Sequence, residues 1–338
     1  MRRNQLLAGI MTALTAVMPA VSVYVDTAAA SEILTSNETV QTETNIDKTT
    51  ALQNSVKLID MLSTEASGKN IMFSPTSLNF ALGMIAEGAK GETKEVLSAY
   101  LGTSDFASYA KEYLDKIQAY NTEDESYGYQ SKVKIADAVW MDDGLTLQEK
   151  FKNTVSNSFG AEVKAVDFSA TEETCDIINS WCDKNTEGLI PKIITPDLIN
   201  DNTGLCLTNS LYFESGWSGE PWNVSDTEEN FGKIEKTKYM TCTGNQYYEN
   251  DKSTAFGRDY ANGLSFIGIL PYDEGDFTLE DLDISGLLKS NPEYDAVDCK
   301  MPKLNFETST VLNDMLSNLG LDNIFSSNAD FSGIADQN

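Results

Sequence analysis

Residues 70–97 read "NIMFSPTSLNFALGMIAEGAKGETKEVL". Asn70–Phe73 is a short apolar run of strand type, and Ser74-Pro75 ends it. Ser suits the N-cap of a helix and Pro its first turn, so a helix starts there. Apolar residues then recur at helical spacing to about Ala89. Ser74, Ser77 and Asn79 stand where a core helix would ordinarily carry Leu.

Outward from this stretch the pattern is helical on both sides. Residues 51–66 place Leu52, Val56, Ile59 and Leu62 on one face. Gly91–Leu101 and Asp105–Tyr120 form two more amphipathic helices, the second carrying Phe106, Tyr109, Tyr113 and Ile117. Residues 122–132, "TEDESYGYQSK", read as a polar loop. "VKIADAVWMDDG" (133–144) follows as a strand, "LQEKFKNTVSNSFG" (147–160) as a helix and "AEVKAVDF" (161–168) as a strand. "TEETCDIINSWCDKNTEG" (171–188) is a helix with a capping-box start and Gly188 as its stop.

The clearest strand is "GLCLTNSLYFESGW" (204–217). Leu205, Leu207, Asn209, Leu211 and Phe213 share one face, so Asn209 interrupts an apolar row. An unpaired buried amide costs on the order of 1–3 kcal/mol, so Asn209 requires partners. From Pro221 onward the chain is β-rich, with "KTKYMTC", "STAFGRDY" and "LSFIGILPYDE". "FTLEDL" opens a helical stretch, "DAVDCKMPKLNFE" (295–307) is a strand and "STVLNDMLSNLG" (309–320) a helix. A helix-rich first half and a strand-rich second half predict a single α+β domain.

Composition narrows the function. Lys and Arg number 24 against 52 Asp and Glu, a net charge of −28, which repels nucleic acid and anionic lipid. The chain has no histidine, which removes Ser-His-Asp and Cys-His catalysis and His-based zinc sites. No Gly-rich phosphate loop follows a strand, and no carboxylate pair stands out from the acidic surface. Catalytic, cofactor-binding and metal-ligating residues are therefore all expected to be absent. The five cysteines are an odd number. Cys175 and Cys182 lie on one helical stretch, roughly 10 Å apart at about 1.5 Å per residue, too far to bridge. The other three sit singly in apolar contexts and read as small buried side chains.

The N-terminus has basic residues at Arg2 and Arg3, an apolar run broken by Pro19, and small residues at Ala28–Ala30. Residues 1–30 read as a signal peptide cut after Ala30. A retained membrane anchor is the alternative, opposed by Pro19 and the small residues. Residues 31–50 are polar and Thr-rich, a disordered spacer before a domain over 51–338.

Taken together, these segments resemble the serpin family. Residues 70–77 are similar to its "N-I-x-x-S-P-x-S" strand and helix, and "INSWCDKNTEGLI" to its "I-N-x-W-V-x-x-x-T" helix. "LTNSLYF", "EPWNVSDTEENF", "LSFIGILP" and "MPKLNFETSTVLNDMLSNLGLDNIFSSNADFSGI" follow in the family's order, so the likeness runs from about Ala51 to Ile334. It implies a serpin-like α+β fold, with N-terminal helices, a large, mostly antiparallel central sheet and smaller β-sheets. The resemblance places Ser74, Ser77 and Asn209 in the shutter, a hydrogen-bonded cluster beneath the central sheet. Trp217 takes the place of the breach Trp at the top of the third strand. Ser215 stands where the family usually has Gly.

The resemblance implies a secreted, bacterial-type inhibitor of serine, and in some members cysteine, proteases. It acts as a suicide trap rather than an enzyme: the protease cuts an exposed loop, is acylated, and is dragged off as the loop inserts into the sheet. The family continues past "ADFSGI" into the fifth sheet strand, the reactive-centre loop and the last core strands. The chain to Asn338 lacks that loop and its reactive bond, so as given it is expected to be inactive and prone to self-association, with the full-length form a monomer. Its partner is the target protease; no cofactor, nucleic acid or, after signal cleavage, membrane is expected. The alternative is a non-inhibitory serpin-fold binding or carrier protein. A secreted carboxylate hydrolase is a third reading, with no motif behind it.

Overall fold

The computed structural model describes residues 16–17, 47–66, 69–124, 129–231, 234–244, 246–272, 278–290 and 296–335. The signal peptide at 1–30 thus lies outside the described residues except for Ala16–Val17, and the spacer at 31–50 except for its last four residues, where the first helix has already begun.

The elements run β1 (Ala16–Val17), α1 (Lys48–Ala66), α2 (Pro75–Gly88), α3 (Gly91–Leu101), α4 (Phe106–Ile117), β2 (Thr122–Asp124), β3 (Tyr129–Asp142), α5 (Glu149–Ser158), β4 (Glu162–Val166) and α6 (Thr171–Asn185). There follow β5 (Leu205–Glu214), β6 (Asn223–Phe231), β7 (Ile234–Gly244), β8 (Gln246–Glu249), β9 (Ser253–Asp259), β10 (Ser265–Pro271), α7 (Ile284–Lys289), β11 (Val297–Pro302) and α8 (Asn313–Leu316). The expected α+β architecture is present.

The central sheet has the order β1-β5-β3-β2, with β4 also paired to β3. Its backbone is the antiparallel pairing of β3 with β5, in register from Lys132↔Glu214 to Met141↔Leu205. On its other edge β5 meets β1, parallel, at Leu211 and Tyr212. Two smaller antiparallel sheets have the orders β10-β9-β8 and β11-β7-β6.

Strand alternation gives the central sheet two buried faces. Val139, Leu205 and Leu207 pack with Leu78, Phe80 and Leu82 of α2. Ala138, Trp140 and Cys206 point to the opposite side, against Ile178, Trp181 and Cys182 of α6. Trp140 there meets Trp181 edge-on at 6.0 Å and donates its indole N–H to Thr208 Oγ1 at 3.0 Å. Helix α2 is buried along nearly its whole length, which explains its largely apolar composition. Gly83 lets the Phe106 ring lie against it, since a Cβ there would fall 2.2 Å from that ring.

Four local expectations are corrected. Residues 122–132 are not a loop throughout: Thr122–Asp124 pairs with Tyr129–Ser131 as a hairpin. The strand read over 295–307 stops at Pro302, which has no N–H to continue the ladder; Lys303 N–H donates to Lys238 O and no strand follows. The helix read over 309–320 starts only at Asn313 and passes into irregular helical turns, because Gly320 takes φ +90. The capping box at Thr171 does not form. Ala170 occupies the N-cap, and Asp167 organises the turn by accepting from Ser169 N–H, Ser169 Oγ and, through its carbonyl, Thr174 Oγ1. Gly188 does act as the stop, with φ +81 and its N–H on Asp183 O.

Candidate functional site

Ser74 and Ser77 meet at the start of α2. Ser74 has extended backbone, Pro75 follows in the first turn, and Ser74 Oγ accepts from Ser77 N–H at 3.2 Å. The same hydroxyl donates to Ser77 Oγ at 3.0 Å, and both serines are buried. The apolar strand before them and the apolar helix after them draw the turn under the sheet, so the hydroxyls are satisfied locally rather than by water.

Asn209 is also buried, on the face of β5 that looks toward α2. Its amide nitrogen donates to Asp137 Oδ1 at 2.8 Å, and the two residues are direct partners in the β3–β5 ladder. Among the described residues no direct hydrogen bond joins Asn209 to either serine. The structure thus brings the serines together and gives Asn209 a carboxyl partner that the sequence reading did not name. The signal was available: Val133, Ile135, Val139 and Met141 alternate as apolar residues, and Asp137 interrupts them just as Asn209 interrupts its own row.

The pair is short of donors. Asp137 Oδ2, Asn209 Oδ1 and the neighbouring Ser210 Oγ are buried with no hydrogen-bond partner. Burial pushes the Asp137 carboxyl up to about 7, against the opposing pull of the Asn209 hydrogen bond. Near neutral pH this carboxyl can therefore gain or lose a proton in the middle of the sheet.

Trp217 lies just beyond β5 and ties it to the next sheet. It forms a single β-bridge with Tyr260 and stacks on that ring at 4.4 Å. Trp222 and Phe266 meet it edge-on at 5.5 and 5.8 Å. The buried Arg258 guanidinium sits 5.8 Å from the Trp217 ring and 5.0 Å from the Trp222 ring, and donates to Glu220 O. Arg258 was missed in sequence; a cation within the apolar strand "STAFGRD" was its signal. Ser215 is accommodated because its hydroxyl shares a 2.8 Å hydrogen bond with Ser131 of β3. Among the described residues no group of three or more acidic, Cys or His side chains is placed to hold a metal, and no helix is long and apolar enough to cross a membrane.

Comparison with known proteins agrees with this architecture. Residues 50–338 match the family described as serpin (serine protease inhibitor). The mouse leukocyte elastase inhibitor A is 30% identical over 305 residues, covering 83% of this chain and 78% of the mouse protein. An uncharacterized serpin-like protein of Methanosarcina acetivorans is 30% identical over 300 residues, covering 83% of this chain and 68% of that protein. In structure, the chain is similar to reactive-loop-cleaved human thyroxine-binding globulin, with a TM-score of 0.71 at 24% identity over 85% of this chain and 87% of the other. With the family match running through nearly the whole α+β fold just described, the chain belongs to the serpin family.

Proposed function

We propose that this serpin is exported through its N-terminal signal peptide, with cleavage after Ala30, and that its full-length form traps serine or cysteine proteases. One structural observation carries the reading. Strand β5 is buried on both faces and paired to β3 along its length, and the two rows of this ladder are interrupted at one rung by Asp137 and Asn209, whose Oδ2 and Oδ1 have no hydrogen-bond partner. A sheet whose central rung holds buried polar groups with unmet hydrogen bonds can part there at reduced cost to admit a strand, and serpins insert their cleaved loop into such a sheet. In this reading Ser74, Ser77 and Asn209, with Asp137, form the shutter at which the sheet parts. Trp217 marks the breach where insertion begins. The mouse relative's name, an elastase inhibitor, supports a protease partner.

The test uses the gene product translated through its natural stop codon. It is mixed with trypsin-, chymotrypsin-, elastase- and subtilisin-like proteases and run on denaturing gels. An SDS-resistant one-to-one complex with at least one of them is the expected result. Clean cleavage with no complex, across all four classes, contradicts inhibition.

A carrier role is the second reading, and a cavity favours it. A cleft of about 470 Å³ lies between β9, β10 and β11, lined by Phe256, Phe266, Ile269 and Met301 among others. That is the size and character of a small-molecule site. Saturable binding of an apolar fluorescent ligand, together with cleavage that yields no complex, would favour the carrier over the trap.

A further inference from the structure

Cys242 and Cys299 are direct partners in the antiparallel ladder of β7 and β11. In the same ladder Lys303 N–H donates to Lys238 O at 2.7 Å, so that pair is of the hydrogen-bonded type. Types alternate along an antiparallel ladder, which makes the Cys299–Cys242 pair hydrogen-bonded as well. Such partners have Cα atoms about 5.5 Å apart. Disulfides most often span about 5.5–6 Å between Cα atoms, with Cβ atoms about 3.5–4.5 Å apart, so closing this pair draws its Cβ atoms about 1 Å nearer than the spacing of a hydrogen-bonded rung. Facing residues point to the same side of the sheet, and both cysteines are buried in one apolar cluster with Met240 and Met301.

Three further observations converge on this pair. The two thiols are close enough for Cys242 to help raise the Cys299 thiol's pKa, while the Cys299 thiol itself donates to Val297 O at 3.7 Å. Among the described residues β11 has β7 as its one sheet neighbour, which leaves it free to shift by the roughly 1 Å that bond formation requires. Cys299 also lies on the wall of the 470 Å³ cleft, which gives a small disulfide reagent a route to the pair. The remaining cysteines, Cys175, Cys182 and Cys206, belong to a different cluster on the far side of the central sheet.

We propose that Cys242 and Cys299 are a redox pair that closes as a cross-strand disulfide and fixes β11 to β7. The oxidant is a disulfide, either a small molecule or a thiol-disulfide oxidoreductase. One cysteine thiolate attacks its S–S bond, expelling one thiol and leaving a mixed disulfide. The second thiolate attacks the protein sulfur of that mixed disulfide and expels the other thiol. Two electrons pass from the pair to the oxidant, and the two protons lost by the cysteines end on the two released thiols. Burial, with Cys242 beside it, pushes the Cys299 thiol up to about 12, so the reduced pair persists until such a reagent arrives.

The experiment uses the full chain purified under reducing conditions and then incubated with glutathione disulfide. Peptide mapping without reduction is expected to find one linked peptide joining Cys242 to Cys299. Cys175, Cys182 and Cys206 should alkylate as free thiols once the protein is denatured. The melting midpoint should rise by about 5–10 °C on oxidation. That rise should vanish in Cys299→Ser. If that variant does not fold, the wild-type peptide map decides alone. A folded protein that keeps all five thiols, or that carries glutathione separately on Cys242 and Cys299, overturns the proposal. So does a Cys175–Cys206 link formed without a Cys242–Cys299 link.

Discussion

The α2 layer and the β3–β5 seam face each other across the same interior, and they are filled differently. In the helical layer Phe80 is fully buried and meets Phe106, Tyr113 and Phe159 edge-on, with ring centroids at 5.9, 5.7 and 5.9 Å. Contacts of this kind are lost outright when the surfaces separate. In the seam, Asp137 and Asn209 share one hydrogen bond and leave Asp137 Oδ2 and Asn209 Oδ1 without partners. Polar groups that are incompletely satisfied when closed gain hydrogen bonds to water or to an incoming strand when opened. The first region is built to stay shut, and the second can part at lower cost.

The largest effect that would break this contrast lies in the helical layer. Phe80→Ala should lower the unfolding free energy by about 3–5 kcal/mol, measured by urea denaturation. A loss under about 1 kcal/mol would mean that the layer is not close-packed.

The next effect belongs to the seam and depends on pH. Burial raises the Asp137 carboxyl from 3.8 to about 7, so the native state holds this proton more tightly than the unfolded chain does. Below pH of about 4 both states are protonated and the group is neutral in its effect. Between about 4 and 7 the native state binds more protons, so stability falls as pH rises, and above about 7 the loss is complete. At about 1.4 kcal/mol per pH unit over this shift the decline is on the order of 4 kcal/mol. Asp137→Asn should match wild type at pH 4, be more stable at pH 8, and flatten this part of the profile. An unchanged slope would remove Asp137 as its source.

The smallest effect is at the hinge between the two regions. Ser74→Ala deletes the cap of α2 and the hydroxyl partner of Ser77. A destabilisation of about 1 kcal/mol is expected in the same urea assay.

The start of α2 was legible because Ser-Pro is a local signal, and Asn209 because it broke a row within its own strand. Asp137 broke its row in the same way, but its importance comes from facing Asn209, and that register is set by the packing of both strands on α2. The facing of Cys242 and Cys299 was hidden for the same reason: no short stretch of sequence contains both. Residues 303–307 keep a strand-like alternation at Leu304 and Phe306, yet among the described residues no strand pairs with them, and propensity without a ladder partner does not make a strand. Arg258 was legible as an exception to its strand but not as a cation held between Trp217 and Trp222, since those rings arrive from the distant loop between β5 and β6.

Native-state hydrogen exchange tests the difference between seam and layer most directly. Backbone amides at 133–141 and 205–213 report the seam, and those at 78–88 report α2. The expected result is that the seam amides exchange through an opening of lower free energy than the α2 amides, and that this seam opening free energy falls from pH 5 to pH 8 as Asp137 ionises. Equal opening free energies in the two sets, unchanged across that pH range, would contradict a seam poised to part.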